Sequence, residues 1–185
     1  MSNERSRLTK ITTRAGDKGT TKLATGRTVS KASQVVRTMG SVDELNSHIG
    51  VLLAALADNS DQQDNIRDIQ QALFDMGAVF AMEGQFKAPD PSALEAATTA
   101  LNDALPPLTE FVLPRGGQAA SLAHVCRAVC RRAETEVWAL LEAGGDEQAA
   151  HGDAARYLNR LSDYFFVLAR TLAPTTEEQW HGPDH

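Results

Sequence analysis

Hydrophobic residues recur at steps of three and four in five separate stretches of this chain, the spacing that lines one face of an α-helix. Val35, Val36, Met39, Val42, Leu45, Ile49, Leu52, Leu53 and Leu56 predict a first helix from about 33 to 57, ended by the polar run Asp58-Asn-Ser-Asp61. Ile66, Ile69, Leu73, Met76 and Phe80 define a second, stopping near Glu83-Gly84. Ser92-Ala-Leu-Glu95 has the form of a capping box, and Leu94, Leu101 and Leu105 carry a short third helix to Pro106-Pro107. A fourth runs from about 117 to 143 and is closed by Gly144-Gly145; Ala154, Leu158, Leu161, Phe165, Leu168 and Leu172 make a fifth, stopped by Pro174. Five amphipathic helices with short connections predict an all-α bundle. Residues 1–32 lack a sustained period and are expected to form an irregular arm with a short strand pair. Residues 33–173 form the bundle, and the tail 174–185, polar apart from Trp180, is expected to be mobile.

At 185 residues the whole chain reads as one domain, large enough to bury a self-sufficient core. Its net charge of −6 and pI near 5.3 argue against a general binder of nucleic acid or anionic membrane. No run reaches the roughly 18 apolar residues of a membrane span. The opening stretch carries an acid and no apolar segment, which predicts neither an export signal nor an uncleaved transit peptide, and hence a cytoplasmic protein. Cys126 and Cys130 lie one turn apart on the fourth helix, so they are read as half-buried thiols rather than a structural disulfide or a metal site.

Against that acidic background, the fourth helix gathers cations. At about 100° per residue His124, Arg127, Arg131, Glu134 and Trp138 fall within roughly 80° of arc, with Leu122, Val125, Val129, Ala133, Val137 and Leu140 opposite. Arginines held on a rigid rod and aimed away from a core suit a polyphosphate, or the carboxylates of a partner subunit. The fifth helix repeats the arrangement with Arg156, Asn159, Arg160, Asp163 and Arg170, although a solvated face with internal ion pairs explains that stripe equally. In the arm, Thr12-Thr-Arg-Ala-Gly16-Asp-Lys-Gly19-Thr-Thr-Lys22 combines glycines with hydroxyls and cations, as a phosphate-binding loop does. It lacks P-loop spacing, and on composition alone a plain turn is the better reading. Asn46 falls inside the apolar arc of the first helix, as a satisfied core amide or as a ligand group where the bundle opens; Asp43 lies at the edge of that arc. Phe111-Val-Leu-Pro114-Arg-Gly116-Gly117 is either a packed connector or a rigid apolar loop feeding a helix N-terminus. No zinc-protease, di-iron or nucleophile-elbow pattern is present.

Four blocks, in order, resemble the PduO-type ATP:cob(I)alamin adenosyltransferases: Thr13 to Thr21, Gly40 to Ser47, Phe111 to Pro114 leading to His124 and Arg127–Glu134, and Tyr157 to Phe166. The resemblance spans about Thr9 to Arg170. It implies a five-helix bundle assembled as a homotrimer, with ATP and a corrinoid bound between subunits, and transfer of the 5'-deoxyadenosyl group of ATP to the cobalt of cob(I)alamin with release of triphosphate. By the same resemblance Thr13, Gly16, Asp17, Gly19, Thr20, Thr21 and Lys31 hold the triphosphate, with Mg2+ neutralising part of its charge. Arg131, Glu134 and Asn159 contact the nucleotide, Arg127 pairs with Asp43 across the subunit boundary, and Phe111 fills the lower face of the corrin. Removing the lower ligand eases reduction of Co(II) to Co(I), which brings a flavoprotein reductant within reach; an adenosylcobalamin-dependent enzyme such as a diol dehydratase or a mutase consumes the product. Three positions depart from the family pattern. Thr135 and Val35 stand where arginines are common, and Arg115 stands between Pro114 and the Gly-Gly pair. Thr135 and Arg115 leave room for a non-catalytic corrinoid carrier of the same fold, and a trimeric scaffold whose arginines only join subunits is a third reading.

Overall fold

The computed structural model describes residues 12, 14–56, 62–144 and 148–183. Five helices follow a strand pair: β1 (Thr20–Lys22), β2 (Thr28–Ser30), α1 (Gln34–Ala55), α2 (Gln62–Ala81), α3 (Ser92–Asp103), α4 (Gln118–Glu142) and α5 (Gln148–Thr171). The five periodic stretches are therefore the five helices. α1 packs on α2 and α4, α4 packs on α5, and α2 touches α5 to close the ring, while α3 packs on α5. Leu45, Ile49, Leu52, Ile66, Leu73, Met76, Phe80, Leu158, Leu161, Phe165 and Leu168 are buried in the middle, each full burial of this kind stabilising the fold by about 1.5–3 kcal/mol.

α4 is rolled relative to its expected orientation. Its buried residues are Ala120, Ala123, His124, Cys126, Cys130, Ala133 and Val137, whereas Val125 is 39% exposed and Val129 only partly buried. The buried stripe thus lies roughly a quarter turn from the Val/Leu stripe, toward the arginines. The cause is crowding: α4 is flanked by both α1 and α5, and small side chains let three helices approach closely. Both thiols are fully buried rather than half-buried, and the Cys130 Sγ–H donates to the Leu158 carbonyl at 3.1 Å. Burial pushes Cys126 up to about 12 and Cys130 well above its usual range.

The arm is pinned to the bundle. β1 and β2 pair antiparallel, with Thr21 opposite Val29; Leu23 and Val29 are buried, and Ala24 N–H donates to the Ala81 carbonyl at 3.0 Å. Arg27 forms an ion pair with Glu83, whose other oxygen accepts from Thr25 Oγ1 at 2.6 Å. The Thr25 bond, then Arg27, holds the Glu83 carboxyl below its usual range.

A further expectation is corrected. Ser92 does not cap α3 as a capping box: it is the first helical residue, and its N–H and Oγ both donate to Asp90 Oδ1, at 2.9 and 2.6 Å. Residues 175–183 of the tail lie along the loop that precedes α4. Val112 and Gln179 form an antiparallel bridge, Leu113 N–H donates to the Glu178 carbonyl at 2.8 Å, and Trp180 N–H donates to the Phe111 carbonyl at 2.8 Å. Backbone pairing of this kind needs no apolar side chains, so a polar composition did not disclose it.

Candidate functional site

The α4–α5 seam carries the first group of site residues. Glu134 is half-buried and accepts from Asn159 Nδ2, at 3.3 and 3.5 Å to its two oxygens, and from Trp138 Nε1 at 3.4 Å. Arg160 in turn donates to Asn159 Oδ1. The chain Trp138–Glu134–Asn159–Arg160 fixes a carboxylate and an amide at one rim with settled orientations. Two hollows meet there, one of about 540 Å³ lined by Arg131, Arg132, Glu134, Thr135, Glu136, Trp138 and Asn159. The other, about 610 Å³, runs from Glu134, Trp138 and Asn159 to Gly152, Asp153 and Arg156. Both lie in the size range of small-molecule sites. Arg131 is exposed beside the first hollow and has no ion-pair partner among the described residues, while Arg132 is held by Glu44 of α1. Thr135 Oγ1 donates to the Arg131 carbonyl at 3.0 Å, so this hydroxyl is turned back on its own helix and the rim gains no third cation there.

The arm is the second group. Gly19 N–H donates to the Gly16 carbonyl at 3.1 Å and Lys31 N–H to the Gly19 carbonyl at 2.9 Å, closing a tight loop at the base of the hairpin. Lys31 comes close to Gly16: a Cβ there would stand 2.7 Å from Lys31 Nζ, which the flexible lysine can relieve by moving, and 3.2 Å from the Thr20 carbonyl. Asp17 and Thr20 are exposed and Thr21 is half-buried; Thr13 lies outside the described residues. The arm leads directly to the rim of the α4 hollow. Gln34 Nε2 donates to the Glu136 carbonyl and carboxylate at 3.0 and 2.6 Å, and Thr38 Oγ1 donates to the same carbonyl at 2.9 Å. Lys31 is three residues before Gln34, within roughly 11 Å of chain.

Asp43, Asn46 and Arg127 stand apart from these. Asn46 is buried; its Nδ2 donates to the Gln70 carbonyl and its own backbone carbonyl accepts from Gln70 Nε2, both at 3.2 Å, but its Oδ1 has no partner among the described residues. It opens on an α1–α2 groove of about 490 Å³ lined also by Met39, Gly40, Asp43 and Phe74. Among the described residues neither Asp43 nor Arg127 has an ion-pair partner, and the Arg127 Nε is buried without an acceptor. Burial, then the neighbouring Arg131, lowers Arg127 from its ordinary value. Among the described residues this half-desolvated cation has no anion beside it. His124 is buried rather than displayed with the arginines, edge-on to Phe166 with ring centroids 6.4 Å apart.

Phe111 is 76% exposed and stands beside Trp180, ring centroids 6.3 Å apart. Its loop ends in Gly116 and Gly117, at φ +126° and +96°. A Cβ on Gly116 would meet the Ala173 Cβ at 2.5 Å, so Gly-Gly feeds α4 here even with Arg115 inserted; Arg115 pairs with Glu178 at 3.0 Å. Val35, the third departure, is buried in the core, and Arg37 is exposed elsewhere on α1. Arg170, expected on a solvated stripe, is only 4% exposed because the tail covers it. The sequence reading missed the tail contacts, the Gln34–Glu136 link and the Arg160 brace; a lone Trp180 in a polar tail was the one visible signal. No helix among the described residues is long and apolar enough to cross a membrane.

A helical bundle with a glycine-rich arm leading to an arginine rim, and an exposed phenylalanine on a braced loop, is an arrangement chemically suited to polyanionic small molecules that also carry an apolar part. The comparisons with known proteins narrow that class. A profile of the cobalamin adenosyltransferase family matches residues 11–172. The cobalamin adenosyltransferase of Cupriavidus metallidurans is 48% identical over 168 residues, covering 90% of this chain and 89% of the relative. The corrinoid adenosyltransferase of Bacillus subtilis is 41% identical, with 88% and 86% covered. A phenylalanine-to-alanine variant of the PduO-type ATP:corrinoid adenosyltransferase of Lactobacillus reuteri, solved with cobalamin and ATP, matches with a TM-score of 0.84 at 32% identity, covering 94% of this chain and 100% of that one. The chain belongs to the cobalamin adenosyltransferase family.

Proposed function

We propose that ATP lies across the α4–α5 rim, its triphosphate toward the arm and its nucleoside toward Glu134 and Asn159, with the corrinoid against Phe111. The activity is that of an ATP:corrinoid adenosyltransferase, which produces adenosylcobalamin. Cob(I)alamin attacks C5' of ATP and triphosphate leaves, so the chain needs no covalent nucleophile; it contributes orientation and charge stabilisation. Arg131 meets the charge that develops on the departing triphosphate, and Gly16, Asp17, Gly19, Thr20, Thr21 and Lys31, with Thr13, enclose the same phosphates. Glu134 accepts from the nucleoside, and Asn159 holds it in place. The observation that carries this reading is the Glu134–Asn159 brace beside an exposed Arg131 at the mouth of the hollow.

Mg2+ enters this reading as the counter-ion of the triphosphate. Such an ion takes most of its ligands from phosphate oxygens and water. Asp43 of one subunit pairs with Arg127 of the next in a homotrimer; the support is that neither has an ion-pair partner among the described residues. Phe111 denies cobalt a lower ligand and thereby eases the one-electron reduction of Co(II) by a flavoprotein; an adenosylcobalamin-dependent enzyme takes the product. Mixing the protein with ATP, magnesium and chemically reduced cob(I)alamin under anaerobic conditions is expected to give the cobalt–carbon product spectrum. A protein that binds adenosylcobalamin but leaves ATP intact is a carrier instead, and one that binds no ATP is a scaffold.

A further inference from the structure

We infer that Arg170 and Glu177 form a positioning pair that sets where Phe111 stands, making the tail part of the machinery for reducing Co(II); the inference rests on the lower-face role proposed for Phe111. Arg170 is a charged residue at the C-terminal end of α5, buried to all but 4%. Its Nε donates to Glu177 Oε2 at 2.7 Å, and its Nη2 donates to the Pro106 carbonyl at 2.9 Å and to Glu177 Oε1 at 3.5 Å. One guanidinium therefore ties three pieces of chain together: the end of α5, the start of the loop that carries Phe111, and the start of the tail. A buried, charge-assisted fork holds its partners in a defined geometry, and removing either partner leaves an uncompensated charge.

From that knot the tail runs antiparallel to the loop. Thr176 Oγ1 donates to the Gly116 carbonyl at 3.2 Å, Glu178 accepts from Leu113 N–H and pairs with Arg115, and Trp180 N–H donates to the carbonyl of Phe111 itself. Thr109 Oγ1 donates to Gln179 Oε1 at 3.1 Å beyond it. The Phe111 side chain has no such support. It is 76% exposed, and Trp180 is the aromatic neighbour that the tail places beside it. The height and tilt of the phenyl ring are therefore dictated by the backbone of residues 109–113, which the tail holds by hydrogen bonds and the Arg170–Glu177 knot anchors at its root. A loop released from that anchor would still carry a phenylalanine, but not at a fixed position below the corrin.

Reduction of Co(II) takes up one electron from the supplied reductant and requires the lower ligand to be absent; alkylation of pre-formed cob(I)alamin does not. Loosening the knot should therefore separate the two assays. Arg170→Gln and Glu177→Gln are compared with the parent in turnover from cob(II)alamin plus a flavoprotein reductant and from pre-reduced cob(I)alamin, alongside the absorption signature of four-coordinate Co(II) and the KM for ATP. Glu177 is the milder site, its side chain being 19% exposed, so it remains informative if the Arg170 variant does not fold. The expected result is a loss of roughly tenfold to a hundredfold in the cob(II)alamin route, several times the loss in the cob(I)alamin route. The four-coordinate signature should weaken and the KM for ATP should stay, with Arg170→Lys recovering part of the loss. Phe111→Ala is the reference. If it fails to separate the two routes, the lower-face reading falls and this inference with it. If it separates them while the Glu177 variant lowers both routes equally or neither, the lower-face reading stands and the positioning pair is refuted.

Discussion

His124 shows how much a side chain's surroundings decide. Burial, then the charge of Arg127, lowers its pKa below the ordinary 6.5, with Glu177 opposing them. The folded chain therefore keeps the ring neutral at a pH where the unfolded chain takes up a proton. Stability associated with His124 is complete above 6.5 and is lost as pH falls from there toward the lower folded value. Urea midpoints measured at about pH 7 and about pH 5.5 should fall less between the two in His124→Gln than in the parent, the carboxylates supplying the background common to both. An equal fall in both proteins would show that the imidazole is protonated in the fold.

At the scale of elements, Gly116 and Gly117 offer a comparison within one turn. Both have positive φ, but only Gly116 faces an obstacle, the Ala173 Cβ, where its own Cβ would stand; nothing lies within 4 Å at Gly117. Gly117→Ala should cost backbone strain alone, about 1–3 kcal/mol, and Gly116→Ala more, because α5 and the tail must shift as well. Chemical denaturation of the two variants checks the order, and a reversed order would mean that the Phe111 loop yields before the α5 end does. These elements also mark how far the sequence could be read. The periods of α1, α2 and α5 are carried by Leu, Ile, Val and Phe, so their limits and inner faces were plain. α4 was misjudged by a quarter turn because Ala and Cys weigh little in a hydrophobic pattern yet are what a crowded seam selects. Glu134 and Asn159 stood out as site residues only through resemblance, and their mutual hydrogen bonds were not foreseen, as each residue alone fits a solvated face. The tail's pairing with residues 109–116 is a property of backbone atoms, and Arg170 looked exposed because helical geometry does not reveal what a later segment lays over it.

At the scale of the whole molecule, Phe74 is 71% exposed, Val125 39% and Trp138 50%, and Asp43 and Arg127 have no ion-pair partner among the described residues. Pairing these across a boundary would satisfy a half-buried guanidinium, and truncating one partner of such a pair costs roughly 2–5 kcal/mol. Sedimentation of Asp43→Ala and of Arg127→Ala is expected to show the trimer dissociating at concentrations where the parent remains assembled. The exchange Asp43→Arg with Arg127→Asp should restore assembly in part. A parent that sediments as a monomer under the same conditions would end the trimer reading.

The packing of α4 has one more consequence, for anyone wishing to watch the protein move. The chain contains two cysteines, and both are sealed inside with thiols held in the protonated, unreactive form. To a maleimide or a spin-label reagent the native surface is therefore blank. A single cysteine introduced at exposed Phe86 or Val51 would be the sole point of attachment, with no background from the parent and no need to remove the native pair from the seam they fill.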